Sequence, residues 1–417
     1  MTRNLVTNPN RIAEDIDALA AITEEDRPYT RRAFTPIFLK GREWLQARFE
    51  AAGLDTYVDA AGNLIGRRAG RGDGIGTIML GSHSDTVPDG GRYDGIAGVI
   101  AALEVARSLN EQGVELDHDL EIVDFLAEEV SIFGVSCIGS RGLSGQRPEE
   151  WLSREAEGVT LRQAIKEVGG SPGALLTRND IVAFLELHIE QGPVLESEEI
   201  DIGVVTAIAG ITRIEIEVEG RADHAGTTPM DARKDALTAA SWIVLAVERF
   251  AQELARGEAH FAATVGEFRM EPNAANVVPA RVRMLIDARA ERREDMERFI
   301  SELTMGLEGI GVQTGLTVQP PRIVSDNPPT PCDAGLLSVL DAACESAGAR
   351  HRRMASGAGH DTAWMARVTK AAMIFVPCEG GRSHTPQELA KTEDIALGAA
   401  VLLEAVQRLD KDLQETH

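Results

Sequence analysis

The fold is decided by the stretch GTIMLGSHSDTVPDGGRYDGIAGVIAALEVARSL at residues 76–109. It begins with a run of apolar residues and passes through a polar, glycine-rich turn. It then continues as an Ala- and Leu-rich segment that has the length and apolar spacing of a helix. His83, Asp85 and Asp94 are among the polar residues of the turn. This order predicts a buried strand followed by a helix, which is the repeating unit of α/β proteins.

The same plan recurs along much of the chain. LEIVDFLAEE (120–129), IVAFLELHIEQG (181–192) and AAMIFVP (371–377) are apolar runs that end in polar or turn-forming residues. Continuous apolar strands of this kind are typical of parallel sheets that helices cover on both faces. The sequence therefore predicts an α/β catalytic domain with a central, mostly parallel sheet flanked by helices.

The pattern changes near residue 210. TRIEIEVEG (212–220) alternates apolar and polar residues, which indicates a strand with one solvent-facing side. The following segments predict the order strand, helix, strand, strand, helix, strand, which is the ferredoxin-like arrangement. We therefore expect a small α+β domain at 210–324, inserted into a larger domain formed by 1–209 and 325–417.

Composition excludes several classes of function. The chain has 417 residues, with 42 Lys and Arg against 66 Asp and Glu, and its formal net charge is −24. Such a charge argues against binding nucleic acid or anionic membranes. Its four cysteines form no CxxC pair, and no run approaches the length of a membrane span. We expect a cytoplasmic protein that acts on a small molecule.

Side chains that bind metals follow four of the predicted strands. His83, His188 and His384 come at or after the ends of apolar runs, and Glu128 and Glu129 end another. Because parallel strands have their carboxyl ends at one edge of a sheet, we expect these groups to lie close together. Singly, each signal is weak, since a lone histidine is usually an ordinary polar residue and a glutamate pair also suits a solvated strand end.

A set of imidazole and carboxylate ligands favours Zn²⁺, Mn²⁺, Co²⁺ or Ni²⁺ over Mg²⁺ or Ca²⁺. Asp94 lies among small residues that would let its carboxylate approach a metal ion, although an aspartate that caps the next helix gives the same pattern. Asp85 is two residues from His83 and could orient its imidazole. One residue of the pair Glu128 and Glu129 could bind metal while the other acts as a general base.

The small domain has candidate residues of its own. His224 lies in the turn ADHAGTTPMDAR (222–233), and Asn276 and Arg289 lie in NAANVVPARVRMLIDAR (273–289). An arginine in a cleft can bind a substrate carboxylate through two parallel hydrogen bonds. The alternative for Arg289 is an ordinary surface ion pair.

The chain resembles the M20-type metallopeptidase superfamily, in particular its branch of N-carbamoyl-L-amino-acid hydrolases, allantoate amidohydrolases and β-ureidopropionases. The resemblance rests on seven segments in the same order, which are GSHSDTVPDGGRYDGIAG (81–98), FLAEE (125–129), ELHIEQGPVLE (186–196), HAGTTPM (224–230), NVVPARV (276–282), SGAGHDT (356–362) and MIFVPCEGGRSHTPQE (373–388). ELHIEQGPVLE and HAGTTPM are typical of the amide-hydrolysing branch rather than of the peptidases.

The resemblance implies a site with two divalent metal ions. In it His83 and His188 hold one metal, Glu129 and His384 hold the other, and Asp94 bridges them. Asp85 orients His83, and Glu128 is the general base. The inserted domain is expected to be a lid that also forms a homodimer.

The resemblance also implies residues that contact the substrate. Arg289 and Asn276 would bind a substrate carboxylate, and His224 would stabilise the oxyanion, within its own subunit or across a dimer interface. Further candidates for the substrate pocket are Gln191, Arg213, Gly359 and His360.

The expected activity is metal-dependent hydrolysis of a linear C–N amide bond in an N-carbamoyl amino acid, which releases ammonia, CO₂ and the amino acid. Allantoate amidohydrolase and N-acyl amino-acid hydrolase or dipeptidase are alternatives on the same fold. A metal-free binding protein is disfavoured because all five ligand positions and the base are present. One departure bears on the substrate: the family often continues its glutamate pair with Gly-Ser-Arg-Phe, whereas this chain has Val130-Ser131-Ile132-Phe133.

Overall fold

The structure is a computed structural model that describes residues 6–72, 74–173 and 177–414. The chain divides into two compact units. Unit 1 extends to Thr206 and also includes Cys332–Met354 and the chain from His360 on, whereas unit 2 is formed by Ala207–Pro331 and Ala355–Gly359. The sequence-based division differs from this at 207–209, 325–331 and 355–359. Residues 1–5 and 415–417 of that prediction lie outside the described residues.

The strands, in chain order, are β1 (Asp55–Val58), β2 (Leu64–Arg68), β3 (Thr77–His83), β4 (Asp119–Phe125), β5 (Glu155–Ala156), β6 (Val159–Thr160), β7 (Ile181–Ile189), β8 (Ile202–Ile208), β9 (Gly210–Glu219), β10 (Phe261–Glu271), β11 (Arg281–Ala290), β12 (Thr317–Val318), β13 (Arg322–Asn327), β14 (Thr330–Pro331), β15 (His351–Ser356) and β16 (Lys370–Val376).

The α-helices are α1 (Pro9–Ala20), α2 (Pro36–Ala51), α3 (Ile96–Glu111), α4 (Ile138–Leu143), α5 (Leu161–Glu167), α6 (Val194–Ser197), α7 (Ala236–Ala255), α8 (Arg293–Thr314), α9 (Ala334–Ser346), α10 (Thr362–Met365) and α11 (Thr392–Gln414). Short 3-10 turns cover Glu149–Ser153, Met230–Ala232 and Glu379–Gly381.

The large sheet is mixed rather than mostly parallel. Its strand order is β1-β2-β4-β3-β7-β16-β8-β14, and β15 pairs with β8. The four central strands run parallel, but β1, β2, β8 and β14 join the sheet antiparallel. The short turn between β1 and β2 allows only an antiparallel pair, because a parallel pair needs a long crossover. The parallel arrangement is therefore restricted to the centre of the sheet.

The four central strands bring the candidate site residues to one edge of the sheet. β3 is buried along its whole length and ends at His83, and β7 ends one residue after His188. β4 ends three residues before Glu128, and β16 leads through a turn to His384. Since β4, β3, β7 and β16 are neighbours and run in the same direction, their carboxyl ends meet.

Unit 2 is an antiparallel sheet with two long helices. Its strand order is β10-β11-β9-β12, with β13 also paired to β9, and its chain order is strand, helix, strand, strand, helix, strand. Alternate residues of β9 and β11 are buried, as the period-two pattern requires. The buried sides of α7 and α8 pack with these strands into one apolar cluster that includes Ile286, Ile243 and Phe299. None of the described helices has the length and apolar character needed to cross a membrane.

We expect the substitution Phe299→Ala to cost unit 2 about 3–5 kcal/mol of unfolding free energy, because it leaves a cavity in this core. The phenyl ring of Phe299 is fully buried, whereas Val312 on the same helix is 86% exposed. The control Val312→Ala should change stability by less than about 0.5 kcal/mol. Urea denaturation followed by circular dichroism measures both, and equal effects of the two substitutions would contradict the assignment of this core.

Candidate metal centre

His83 is held at the end of β3 with one ring nitrogen facing a cluster of acids. Its Nδ1 donates a hydrogen bond to the backbone carbonyl of Asp85, 3.0 Å away. Its Nε2 lies 3.6 Å from Asp94 Oδ1 and 3.6 Å from Glu128 Oε2. That nitrogen is buried and makes no hydrogen bond in the part of the chain that the structure describes. A buried nitrogen of this kind, directed at carboxylates, is suited to bind a cation.

His188 repeats the arrangement from the neighbouring strand. Its Nδ1 donates to the carbonyl of Ile189 at 2.9 Å, and its Nε2 lies 3.2 Å from Asp94 Oδ1. The backbone N–H of Gly95 donates to the same Nε2 at 3.1 Å. A side chain at Gly95 would collide with the ring of His83, so only glycine fits between the two imidazoles.

Asp94 is the residue that both groups of candidate ligands share. Its Oδ2 lies 3.3 Å from His384 Nε2, and it accepts hydrogen bonds of 2.7 Å from Gln191 Nε2 and from Ser383 Oγ. Its backbone N–H donates to Glu388 Oε1 at 3.0 Å. The buried carboxylate is thus fixed by donors from two other parts of unit 1.

The second group of ligands consists of Asp94, Glu129 and His384. Glu129 Oε1 lies 3.1 Å from His384 Nε2. His384 has a left-handed backbone with φ of 54°, and half of its side chain is exposed. This half of the cluster is therefore more accessible than the half formed by His83 and His188, which are both 1% exposed.

Asp85 organises the site differently from the sequence-based expectation. Its carboxylate is 3.6 Å from His83 Nδ1, and it is the carbonyl of Asp85 that accepts the hydrogen bond of the imidazole. The carboxylate instead accepts the backbone N–H groups of Glu128, at 3.1 Å, and Glu129, at 3.2 Å. Asp85 thereby fixes the orientation of the glutamate pair as well as of His83.

The cluster holds more negative charge than its side chains can balance. Burial opposes the charged form of His83, but Glu128, Asp85 and Asp94 outweigh it and raise the pKa of His83 well above its usual value. Hydrogen bonds to Asp94 and Glu129 raise the pKa of His384 to about 10. The acids therefore keep protons on the imidazoles, and a bound divalent cation would take the place of those protons.

Burial also raises the pKa of Glu128 well above its usual value, and the neighbouring Glu129 and Asp361 act in the same direction although His83 opposes them. For Asp94, burial again opposes the charged form, but His188 and His384 outweigh it and hold the pKa well below its usual range. Two carboxyl groups that both face His83 thus have pKa values shifted in opposite directions, which is typical of sites that carry out acid–base chemistry.

Two sets of candidate ligands fit a metal ion in the described chain. They are His83, Asp94 and His188, and Asp94, Glu129 and His384, and within each set the ligand atoms lie within 4.8 Å of one another. The mixture of imidazole and carboxylate ligands suits Zn²⁺, Mn²⁺, Co²⁺ or Ni²⁺. The residues present therefore fit a metal centre.

Several residues that shape the site were missed by the sequence analysis. Glu388 accepts the backbone N–H groups of Tyr93 and Asp94, and Ser383 donates to Asp94. Both belong to the quoted segment 373–388, where their proximity to His384 was the available signal. Cys137 Sγ lies 3.6 Å from Glu128 Oε1, and no sequence motif pointed to this contact.

His360 and Gln191, which were predicted to line the substrate pocket, contact candidate metal ligands. The ring of His360 is buried and packs edge-on against His188, with centroids 4.5 Å apart. The side-chain amide of Gln191 donates to Asp94, as described above. The backbone of Gln191 is left-handed, with φ of 57°. Gly359, one residue before His360, is exposed.

In unit 2 the structure brings His224 and Asn276 together. The backbone N–H of Ala225 donates to the carbonyl of Asn276 at 3.0 Å, and the backbones of His224 and Val277 form an isolated antiparallel β-bridge. The N–H groups of Gly226 and the next residue donate to His224 Nδ1, so the ring proton lies on Nε2. Nε2 of His224 can therefore act as a hydrogen-bond donor.

Arg289 and Arg213 lie on adjacent strands of unit 2 and converge on one carboxylate. Arg289 Nε donates to Asp287 Oδ1 at 2.8 Å, and its Nη1 donates to the carbonyl of Gly357 at 2.7 Å. Arg213 Nε lies 3.4 Å from Asp287 Oδ2. The ion pair considered as the alternative for Arg289 is thus present, and two cations share its one acid.

The family model for peptidase family M20/M25/M40 matches residues 79–408. The chain belongs to this family. The resemblance inferred from the seven segments is therefore confirmed, and the family consists of metal-dependent enzymes.

Relatives in the M20 family cover nearly the whole chain. The N-carbamoyl-L-amino-acid amidohydrolase of Paenarthrobacter aurescens is 38% identical over 414 residues, which cover 96% of this chain and 98% of the relative. The allantoate amidohydrolase of Bacillus subtilis (strain 168) is 35% identical over 418 residues, which cover 98% of this chain and 100% of the relative. An amidase of the hydantoinase/carbamoylase family from Burkholderia multivorans has a similar crystal structure, with a TM-score of 0.90, 36% identity and coverage of 96% and 97%.

These likenesses establish the class of reaction. This M20 family member is a hydrolase that acts on C–N amide bonds, an amidohydrolase of the carbamoylase and allantoate amidohydrolase type. Its mixed α/β fold, with a central sheet flanked by helices, is that of the hydantoinase/carbamoylase amidases.

The substitution Gly95→Ala tests the geometry around His83. The new Cβ would push the imidazole away, so we expect divalent metal affinity to fall by roughly 10–100-fold, as when the support of a ligand is removed. Isothermal titration with Mn²⁺ measures this change. Gly113→Ala is a matched control, because Gly95 and Gly113 have φ values of 67° and 63°, and a side chain at Gly113 would contact nothing within 4 Å. Equal affinities in the two variants would contradict the geometry.

Proposed function

We propose that this protein hydrolyses the ureido group of an N-carbamoyl-L-amino acid. Water attacks the ureido carbonyl, the bond between the carbonyl carbon and the nitrogen of the amino acid breaks, and the carbamate product decomposes to ammonia and CO₂. The observation that carries this proposal is the pair of ligand sets that share Asp94, with Glu128 beside them. The relative from Paenarthrobacter aurescens, named for this substrate class, supports the choice of substrate.

We propose further that the site holds two divalent metal ions. His83 and His188 would bind one, Glu129 and His384 the other, and Asp94 both. Metal ions bound there would polarise the substrate carbonyl and lower the pKa of water. The burial of the first pair and the exposure of His384 suggest that the metal held by His384 exchanges more readily.

Glu128 is proposed as the general base. Its Oε2 faces the centre of the cluster, 3.6 Å from His83 Nε2, and its backbone is fixed by Asp85. Divalent cations beside Glu128 would oppose the effects that raise its pKa and favour the carboxylate form. That carboxylate would take the proton of the attacking water and deliver it to the leaving nitrogen of the amino acid. Glu129, the neighbouring residue, faces His384 instead, so the two glutamates have separate roles.

We assign substrate binding to unit 2. Arg289 and Asn276 would bind the substrate carboxylate, because an arginine fork matches its two oxygens. His224 would donate a hydrogen bond from Nε2 to the oxyanion of the transition state. Because Nδ1 of His224 accepts a hydrogen bond from Gly226, the ring proton is available on Nε2. We also propose that unit 2 acts as a lid and forms a homodimer, and that the protein works in the cytoplasm.

Allantoate is the second candidate substrate, because the allantoate amidohydrolase of Bacillus subtilis is almost as similar to this chain. The departure after the glutamate pair bears on this choice. Ile132 stands where the family often has arginine, and its side chain packs against an apolar cluster that includes Phe133. The chain therefore has an apolar side chain where the family often has a cation.

An ammonia-release assay on Mn²⁺-loaded protein tests the proposed substrate. Its panel contains N-carbamoyl-L- and N-carbamoyl-D-amino acids, β-ureidopropionate, allantoate and N-acetyl-L-amino acids, the last followed by acetate release. We expect hydrolysis of N-carbamoyl-L-amino acids with the highest kcat/KM. Turnover of allantoate alone would replace the proposal with the second candidate, and turnover of N-acetyl substrates alone would contradict both.

The substitution Glu128→Gln should lower kcat by about 10²–10⁴-fold, because the amide cannot accept the proton of water. Metal content should stay at the wild-type level, since Glu128 is outside both ligand sets. Glu129→Gln is the matched comparison and should contain less metal than the wild type, because Glu129 belongs to one of the two ligand sets. Elemental analysis of both variants alongside steady-state kinetics measures this difference. Near-normal turnover by a fully metallated Glu128→Gln protein would rule out the assignment of the base.

A further inference from the structure

A fully buried arginine outside the ligand sets contacts the loop that carries His83 and Asp85. Arg31 is 1% exposed. Its Nη1 donates to the carbonyls of Leu19 and Ile22, at 2.7 and 2.8 Å, beside the carboxyl end of α1. Its Nε and Nη2 both donate to the carbonyl of Ser84, at 3.1 and 3.0 Å. Four N–H groups thus join two distant segments through three main-chain oxygens.

The backbone around Arg31 reinforces this connection. The N–H of Arg31 donates to Thr86 Oγ1 at 2.7 Å, and the N–H of Thr86 donates to the carbonyl of Arg31 at 3.1 Å. Thr86 Oγ1 also donates to the carbonyl of Tyr29 at 2.8 Å. Residues 84–86 are therefore held on both sides, by the guanidinium and by main-chain hydrogen bonds.

The loop held in this way carries two essential contacts of the metal centre. Ser84 lies between His83, whose Nδ1 is oriented by the carbonyl of Asp85, and Asp85 itself, whose carboxylate holds the backbone of Glu128 and Glu129. The Ser84 carbonyl belongs to the peptide unit that joins Ser84 to Asp85, so a shift of this carbonyl would displace Asp85. It would therefore move the imidazole of the first ligand and release the glutamate pair together.

Only a guanidinium can make these contacts. Its planar fork directs N–H groups at three oxygens at once, whereas the ammonium group of lysine is a single point with three donors. Burial lowers the pKa of Arg31 to about 10, while Asp124 and Asp85 oppose that effect, so the side chain keeps its charge at neutral pH. Carbonyls at the end of a helix carry partial negative charge, which also stabilises the cation.

We propose that Arg31 is a positioning residue for the metal centre, which acts by fixing the Ser84 carbonyl and through it His83 and Asp85. Only the expected effect of Arg31 substitutions on turnover rests on the proposed function. Their expected effect on metal binding does not depend on the substrate, so the role of Arg31 and the proposed function can fail separately.

The test uses the full chain loaded with Co²⁺, whose visible absorption reports the ligand geometry without any substrate. Arg31→Lys, which keeps the charge and loses the fork, should lower Co²⁺ affinity by about 10–100-fold and change the visible spectrum. With an N-carbamoyl-L-amino acid as substrate, kcat should fall by a similar factor while KM changes little. Arg31→Met should show larger effects than Arg31→Lys in each readout.

Arg107→Lys is the matched control, because Arg107 on α3 also binds α1, through an ion pair of 2.5 Å with the buried Asp15. In the described part of the chain its side chain makes no hydrogen bond to residues 83–86. This substitution should lower the melting temperature and leave the Co²⁺ spectrum and affinity unchanged. The proposal is overturned if Arg31→Lys, folded by circular dichroism, keeps wild-type Co²⁺ affinity and spectrum. It is equally overturned if Arg107→Lys changes them as much as Arg31→Lys does.

Discussion

The site depends on one buried carboxylate with two faces. Oδ1 of Asp94 lies 3.2 Å from His188 and 3.6 Å from His83, and Oδ2 lies 3.3 Å from His384. These three histidines are brought together by three different strands of one sheet, and the turn that carries Asp94 begins where β3 ends. The order of the central strands and the glycine-rich turn therefore serve to place one acid between two groups of ligands.

Burying the carboxylate of Asp94 costs free energy unless positive charge lies close to it, because a buried carboxylate loses its hydration. In the protein alone, protons on the imidazoles supply the charge, as the raised pKa values of His83 and His384 indicate. Divalent cations would supply it at the same positions. The same excess of negative charge that raises the proton affinity of the imidazoles would also favour the binding of a divalent cation.

The sequence predicted those features of the site that depend on the type of side chain. Apolar runs ending in His83, His188 and Glu128–Glu129 indicated which groups meet at the sheet edge, and the structure brings them together. The sequence did not predict contacts made by main-chain atoms, because nearly every residue has the same carbonyl and N–H groups whatever its side chain. The carbonyl of Asp85 that orients His83, and the N–H of Asp94 that binds Glu388, 294 positions away, are of this kind. The antiparallel outer strands were missed because burial patterns do not reveal strand direction.

The most direct test of the account is the metal content of three proteins after saturation with Zn²⁺ and removal of excess metal. Elemental analysis should find two equivalents in the wild type, one in His384→Ala and none in Asp94→Ala, because only Asp94 belongs to both ligand sets. Retention of two equivalents by Asp94→Ala, or of no more than one by the wild type, would contradict a centre built on a shared carboxylate.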